Sequence, residues 1–152
     1  MSEKGDLAES LFRDGYNCAQ SVAGAFADEL GLPLGAVVHM AGGFGGGFGR
    51  LREMCGAVSG ATLVLSILRG YDDPKDDAAK AALYAEVQQL ANDFRAANGS
   101  YLCRELLGEE QAGSGSVPAP RTAAYYESRP CAQLCRSAAE LLEAQLARVD
   151  EA

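Results

Sequence analysis

Apolar residues recur along the chain at three- and four-residue intervals, and no segment sustains the apolar/polar alternation, rich in β-branched residues, of a half-buried strand. The pattern predicts an all-α fold, a compact bundle of about five to seven helices. A first helix is expected from Leu7 to Asp14, stopping at Gly15. Asn17 can cap a second carrying Cys18, Val22, Ala25, Phe26 and Leu30 on one face and ending at Gly31. Pro33 fits the first turn of a third helix through Val37, Val38 and Met40, which dissolves at Gly42 and Gly43.

A buried central helix is expected over residues 51–68, apolar on nearly every side, with Arg69 and Gly70 closing it. Within it Gly56 and Gly60 lie four residues apart and form a groove that admits another backbone or a ligand. Asp73 and Pro74 read as the N-cap and first turn of a long amphipathic helix with a stripe of Leu83, Val87, Leu90 and Phe94, ending near Asn98 and Gly99. A short helix follows around Cys103–Leu107. A last helix runs from Pro130 to Val149 and buries Cys131, Leu134, Cys135, Ala138, Leu142, Leu146 and Val149. The glycine-, serine- and proline-rich stretch 109–129 is expected to be a loop or lid within a single domain spanning residues 1–152.

Composition narrows the function classes. A net charge of −8 with no basic cluster argues against nucleic acid. The longest apolar stretch, Met54 to Leu68, is shorter than the roughly 20 residues a bilayer span needs. Met1 to Asp6 has neither the basic nor the apolar part of a secretory signal, so the expected location is the cytoplasm. There, five cysteines point to catalysis, metal binding or burial rather than to structural disulfides.

The chemistry is therefore read around sulfur. Cys55 follows a glycine tract, Gly42 to Gly49, and is expected in the first turn of the apolar helix. There backbone N–H groups, the helix dipole, Arg50 and Arg52 favour a thiolate. Cys18, Cys103 and Cys131 each sit near a helix start, and Cys135 lies one turn beyond Cys131. There is no CxxC pair, so thioredoxin-like and zinc-ribbon sites are excluded, and His39 is the only histidine. The glycine tract lacks both GxGxxG in register and a Gly-Lys-Ser/Thr ending, which disfavours nucleotides.

Five segments carry a resemblance. Asn17-Cys18-Ala19-Gln20, Gly45-Gly46-Gly47-Phe48-Gly49-Arg50, Cys55-Gly56-Ala57-Val58-Ser59-Gly60, the run from Gly99 to Gly108 around Cys103, and Arg129-Pro130-Cys131 resemble a bacterial and archaeal family described as redox-active, C_GCAxxG_C_C. The resemblance implies that Cys18, Cys55, Cys103 and Cys131 are the functional cysteines and that Cys135 is an addition. It also implies a link to transport or redox supply, since such proteins are described as encoded near transporter genes. Thiol/disulfide exchange or electron transfer, with Cys55 as thiolate, is the reading taken. A metal or iron–sulfur site on the same cysteines is the alternative, and a packing role with helices forming a partner or homo-oligomer surface is the third. No cofactor or redox partner is specified by the sequence.

Overall fold

The computed structural model describes residues 2–151, and side chains among them through Arg148. Val149, expected on the last helix's buried stripe, lies outside the described side chains. The fold is all-α. Helices α1 (Glu3–Arg13), α2 (Cys18–Ala25), α4 (Leu34–Ala41), α6 (Gly56–Arg69), α7 (Asp77–Asn98) and α11 (Cys131–Glu151) form its body. Shorter pieces join them: α3 (Ala27–Leu30), a 3₁₀ turn at Gly42–Phe44, α5 (Gly45–Phe48), α8 (Cys103–Leu107), α9 (Glu109–Ala112) and α10 (Ala123–Ser128).

Local chemistry sets the ends. The Ser2 hydroxyl oxygen accepts the Gly5 N–H at 2.8 Å, so α1 starts earlier than Leu7. Asn17 caps α2 as expected and does so reciprocally: its Oδ1 accepts the Gln20 N–H at 2.9 Å, while Gln20 Oε1 accepts the Asn17 N–H at 3.0 Å. The expected second helix is broken at Phe26, whose φ of −105° and ψ of 13° bend the chain. The bend keeps the Phe26 ring in the core and turns Asp28 and Glu29 outward. Pro33 has an extended ψ of 144° and so precedes α4 rather than joining its first turn. Likewise α7 is capped by Asp76, whose Oδ1 accepts the Ala79 N–H at 2.9 Å; Asp73 instead takes the Lys75 N–H within the preceding turn.

The largest correction concerns the central helix, which begins at Gly56 rather than near residue 51. Residues 51–55 are held outside it by an isolated antiparallel bridge between Met54 and Leu102. Nor is α6 apolar-buried all round: Ala57, Val58, Ala61, Val64 and Leu65 are buried, whereas Ile67 and Leu68 are exposed.

Against the buried face of α6 lie α2 and α7, and α11 crosses α1, α2, α6 and α7. Phe12, Phe26, Phe94, Leu65, Leu90 and Leu142 fill the space between, each worth roughly 1.5–3 kcal/mol by burial. The α2–α6 contact is the closest. A Cβ on Gly56 would come 3.1 Å from Cys18 Cβ, and one on Gly60 would collide with the Ala19 carbonyl oxygen. The outer seam between α1 and α11 is ionic: Arg136 bridges Asp6 at 2.6 Å and Glu9 at 2.8 Å. No helix among the described residues is long and apolar enough to cross a membrane.

Candidate functional site

Gly46, Gly47, Phe48, Gly49 and Arg50 all adopt positive φ, between 58° and 75°, and Arg52 does so at 63°. This is a short left-handed turn. Glycine tolerates it, while Phe48, Arg50 and Arg52 carry a backbone penalty of about 1 kcal/mol or more each. The turn closes through backbone bonds from Gly49 N to Gly43 O at 2.9 Å and from Glu53 N to Gly47 O at 2.8 Å. Gly47 also clears room for a sulfur residue, since a Cβ there would meet Cys103 Cβ at 2.6 Å.

From the turn the chain runs extended past the segment 101–103. Cys55 N–H donates to Tyr101 O at 2.8 Å, and Cys103 N–H donates to Glu53 O at 2.6 Å. With Met54 opposite Leu102, the alternation of side chains along extended backbone puts Cys55 and Cys103 on one face. Immediately afterwards Cys55 becomes the N-cap of α6, and Cys103 opens α8.

Cys18 opens α2 and Cys131 opens α11, so two helix starts carry the remaining pair. The Cys18 thiol lies close enough to those of Cys131 and Cys135 for each to act on its ionisation, and Cys135 Sγ donates to the Cys18 carbonyl oxygen at 3.9 Å. Cys55, Cys103, Cys131 and Cys135 are buried; Cys18 is half-buried.

All four cysteines expected to act together, Cys18, Cys55, Cys103 and Cys131, line a single cavity of about 50 Å³. That is room for a few waters at roughly 10–15 Å³ each. Cys135 stands behind Cys18, outside the lining. Three arginines enter the same wall: Arg52, Arg121 and Arg129. Arg52 is only 8% exposed, donates from Nε to Ala112 O at 2.6 Å, and reaches Cys103 Sγ from Nη1 at 3.6 Å. Arg121 donates to Phe12 O at 2.8 Å and Tyr16 O at 2.9 Å, with its guanidinium 4.3 Å from the Phe12 ring centre. Arg129 donates to Gln111 O at 2.8 Å and lies over Tyr125.

Burial dominates the thiol electrostatics. It pushes Cys55 up to about 12, against the N–H groups of Ala57 and Val58, which favour the thiolate; the Cys103 and Cys131 sulfurs add to the rise. Desolvation thus opposes, and outweighs, the helix-terminal setting that favours a thiolate at Cys55. Cys103 is raised by burial too, with Arg52 pulling the other way through its hydrogen bond and charge. Cys131 is raised first by the neighbouring Cys18 thiol and then by burial. For Cys18 the largest influence, the Cys131 thiol, favours ionisation. It is outweighed by the Cys135 thiol, burial and neighbouring sulfur charge, leaving Cys18 well above the ordinary thiol range. Burial raises Cys135 despite the neighbouring Cys18 thiol, which favours its ionisation.

The donors do not form a ready metal cage: among the described residues no three His, Cys, Asp or Glu side chains are arranged to hold an ion. His39 is exposed on α4 and takes no part in the lining. Sequence reasoning identified the four convergent cysteines and noted Arg50 and Arg52. It missed Arg121, which sits in a loop-like stretch with no periodicity to place it; Cys135, expected on the buried stripe of the last helix, is fully buried there.

No curated protein and no solved structure matches the chain. Residues 16–145 match the family described as "Putative redox-active protein (C_GCAxxG_C_C)", and this span contains every cysteine and arginine of the cavity. The match extends over nearly the whole chain, and the protein belongs to the C_GCAxxG_C_C family.

Proposed function

We propose that the protein is a thiol/disulfide redox protein whose working couple is Cys18 and Cys131, with Cys55 and Cys103 as further thiols of the same centre. The observation that carries this reading is the convergence of Cys18, Cys55, Cys103 and Cys131 on one cavity, with the Cys18 and Cys131 thiols acting on each other's ionisation. Cys18 is the entry point because it alone of the four is more than slightly exposed. Nucleophilic attack requires the thiolate, so exchange through Cys18 proceeds from a small ionised fraction.

Oxidation forms one sulfur–sulfur bond and releases two protons and two electrons; an organic disulfide accepts the electrons and leaves as two thiols. Cys55 serves in this reading as a relay thiol, with the Ala57 and Val58 N–H groups available to receive its charge once the proton has left. The segment 109–129 serves as a cover, anchored by Arg121 to the Phe12 and Tyr16 carbonyls and cross-linked within itself by Arg129 and Gln111.

The test is oxidation by a neutral small disulfide, blocking of remaining thiols, and peptide mapping without reduction. A Cys18–Cys131 linkage reversed by dithiothreitol is expected. Five unlinked thiols after that challenge would overturn the reading.

A further inference from the structure

Next to the thiol cavity lies a second chamber of about 270 Å³, and the two share Asn17, Gly46, Arg52, Arg121, Tyr125 and Arg129 in their walls. The outer chamber adds Arg50 and contains no cysteine. Four arginines therefore converge on it, yet no carboxylate lines either space among the described residues. In a chain of net charge −8 this is a local reversal of sign.

Most of the other arginines do meet a carboxylate, Arg95 with its Asn92 and Tyr101 contacts being an exception. Arg13, Arg69, Arg104, Arg136 and Arg148 each face a carboxylate. The chamber arginines are held by neutral backbone carbonyls instead: Arg50 by Gly115 O at 2.6 Å, Arg52 by Ala112 O, Arg121 by Phe12 O and Tyr16 O, and Arg129 by Gln111 O. Each carbonyl fixes a guanidinium in place without neutralising it. Two of the four, Arg50 and Arg52, are held there by left-handed backbone that ordinary side chains avoid. Cys103 takes the Nη1 of Arg52 and the Tyr126 hydroxyl accepts from Nη1 of Arg121 at 3.2 Å, both neutral partners; none of the four meets a carboxylate among the described residues. Positive charge fixed in a concave, partly desolvated site is the arrangement that selects an anion.

We propose that the outer chamber binds a small anionic compound containing a sulfur–sulfur bond and delivers it to Cys18. This rests on the thiol/disulfide reading above. The shared chemistry is an S–S bond flanked by anionic oxygens, whether of carboxylates or of sulfur oxyanions. Cys18 sulfur attacks one sulfur of the ligand, forming a mixed disulfide and expelling an anionic thiolate or thiosulfate. Cys131 sulfur then attacks Cys18 sulfur, forms the internal disulfide and expels the second half. Two protons pass from the protein thiols to the leaving groups or to water, and two electrons reduce the ligand.

The experiment measures the rate of Cys18–Cys131 oxidation by four compounds: dithiodipropionate, tetrathionate, the neutral bis(hydroxyethyl) disulfide and the cationic cystamine. The net charge of the chain favours cystamine, whereas the chamber favours the anions. An anionic reagent is expected to gain at least about tenfold in rate over cystamine at low salt, after each is normalised to its reaction with a free thiol. Dithiodipropionate and tetrathionate separate the carboxylate and oxyanion sources. Arg50→Gln, whose side chain bonds the exposed Ser114 and Gly115 carbonyls, should erase several-fold of the anions' advantage, read as the ratio of anionic to neutral reagent rates within the same variant. Equal normalised rates for all four, or cystamine fastest, would overturn the anion site while leaving the redox reading intact. Absence of the linkage with every reagent would instead sink the redox reading beneath it.

Discussion

Arg52 joins two distant pieces of the chain through one guanidinium: Nη1 reaches Cys103 Sγ at 3.6 Å while Nε donates to Ala112 O at 2.6 Å. The first contact favours the Cys103 thiolate, and the second supplies a partner for a buried carbonyl. Arg52→Met should therefore have two separable effects. Cys103 should label more slowly with a small bromobimane at pH 8, because the group opposing its raised pKa is gone. Denaturant unfolding should show a loss of about 1–3 kcal/mol from the orphaned carbonyl. Unchanged labelling alongside lower stability would mean that the sulfur contact has no electrostatic consequence.

The five raised thiols make stability depend on alkaline pH. An unfolded cysteine releases its proton near 9.0, whereas folded Cys55 holds its proton up to about 12. Between these values the folded chain binds more protons than the unfolded chain, so stability present below pH 9 is lost as pH rises. Cys55→Ala should flatten the slope by up to about 1.4 kcal/mol per pH unit in that window. Urea titrations from pH 8 to 11 on both proteins measure it, and parallel slopes would contradict the assignment.

Gly60 of α6 and the exposed Gly35 of α4 should respond oppositely to the same change. Gly60→Ala drives a methyl group into the Ala19 carbonyl oxygen, for a destabilisation of about 1–3 kcal/mol. Gly35→Ala meets nothing within 4 Å and should stabilise by up to about 1 kcal/mol through helix propensity. Thermal melts of the pair decide it: a neutral Gly60→Ala would mean that α2 and α6 can separate without loss.

Arg121 pins the segment 113–129 to α1 through the Phe12 carbonyl and its stack on Phe12, and to the α1–α2 connection through the Tyr16 carbonyl. Arg121→Met should lower stability by about 2 kcal/mol and sharply increase limited proteolysis between residues 113 and 121. If cleavage there does not accelerate, other contacts hold that segment.

The helices could be read from spacing and caps, because each depends on residues close together in sequence; the four cysteines were singled out by the family resemblance, and only the folded chain brings them to one cavity. Asn17 announces α2 by itself, and Leu83, Leu90 and Phe94 announce the buried stripe of α7. What escaped prediction depends on distant partners. The central helix loses its first expected turn because Met54 pairs with Leu102 far along the chain. Cys55 was expected to ionise easily from its local setting, yet the helices that bury it come from elsewhere. Arg121 has no periodic neighbours, and only the folded chain shows that its charge joins those of Arg52 and Arg129.

Cys18 and Cys131 begin two helices that are among the most widely separated in the sequence. Joining them would close a loop of more than 100 residues, for which chain entropy in the unfolded state alone is worth about 4.7 kcal/mol. That is a large share of the 5–15 kcal/mol by which folded domains generally exceed their unfolded chains. The electron state of the centre would then set the melting temperature of the whole molecule, and its reduced form would be the thermally fragile one.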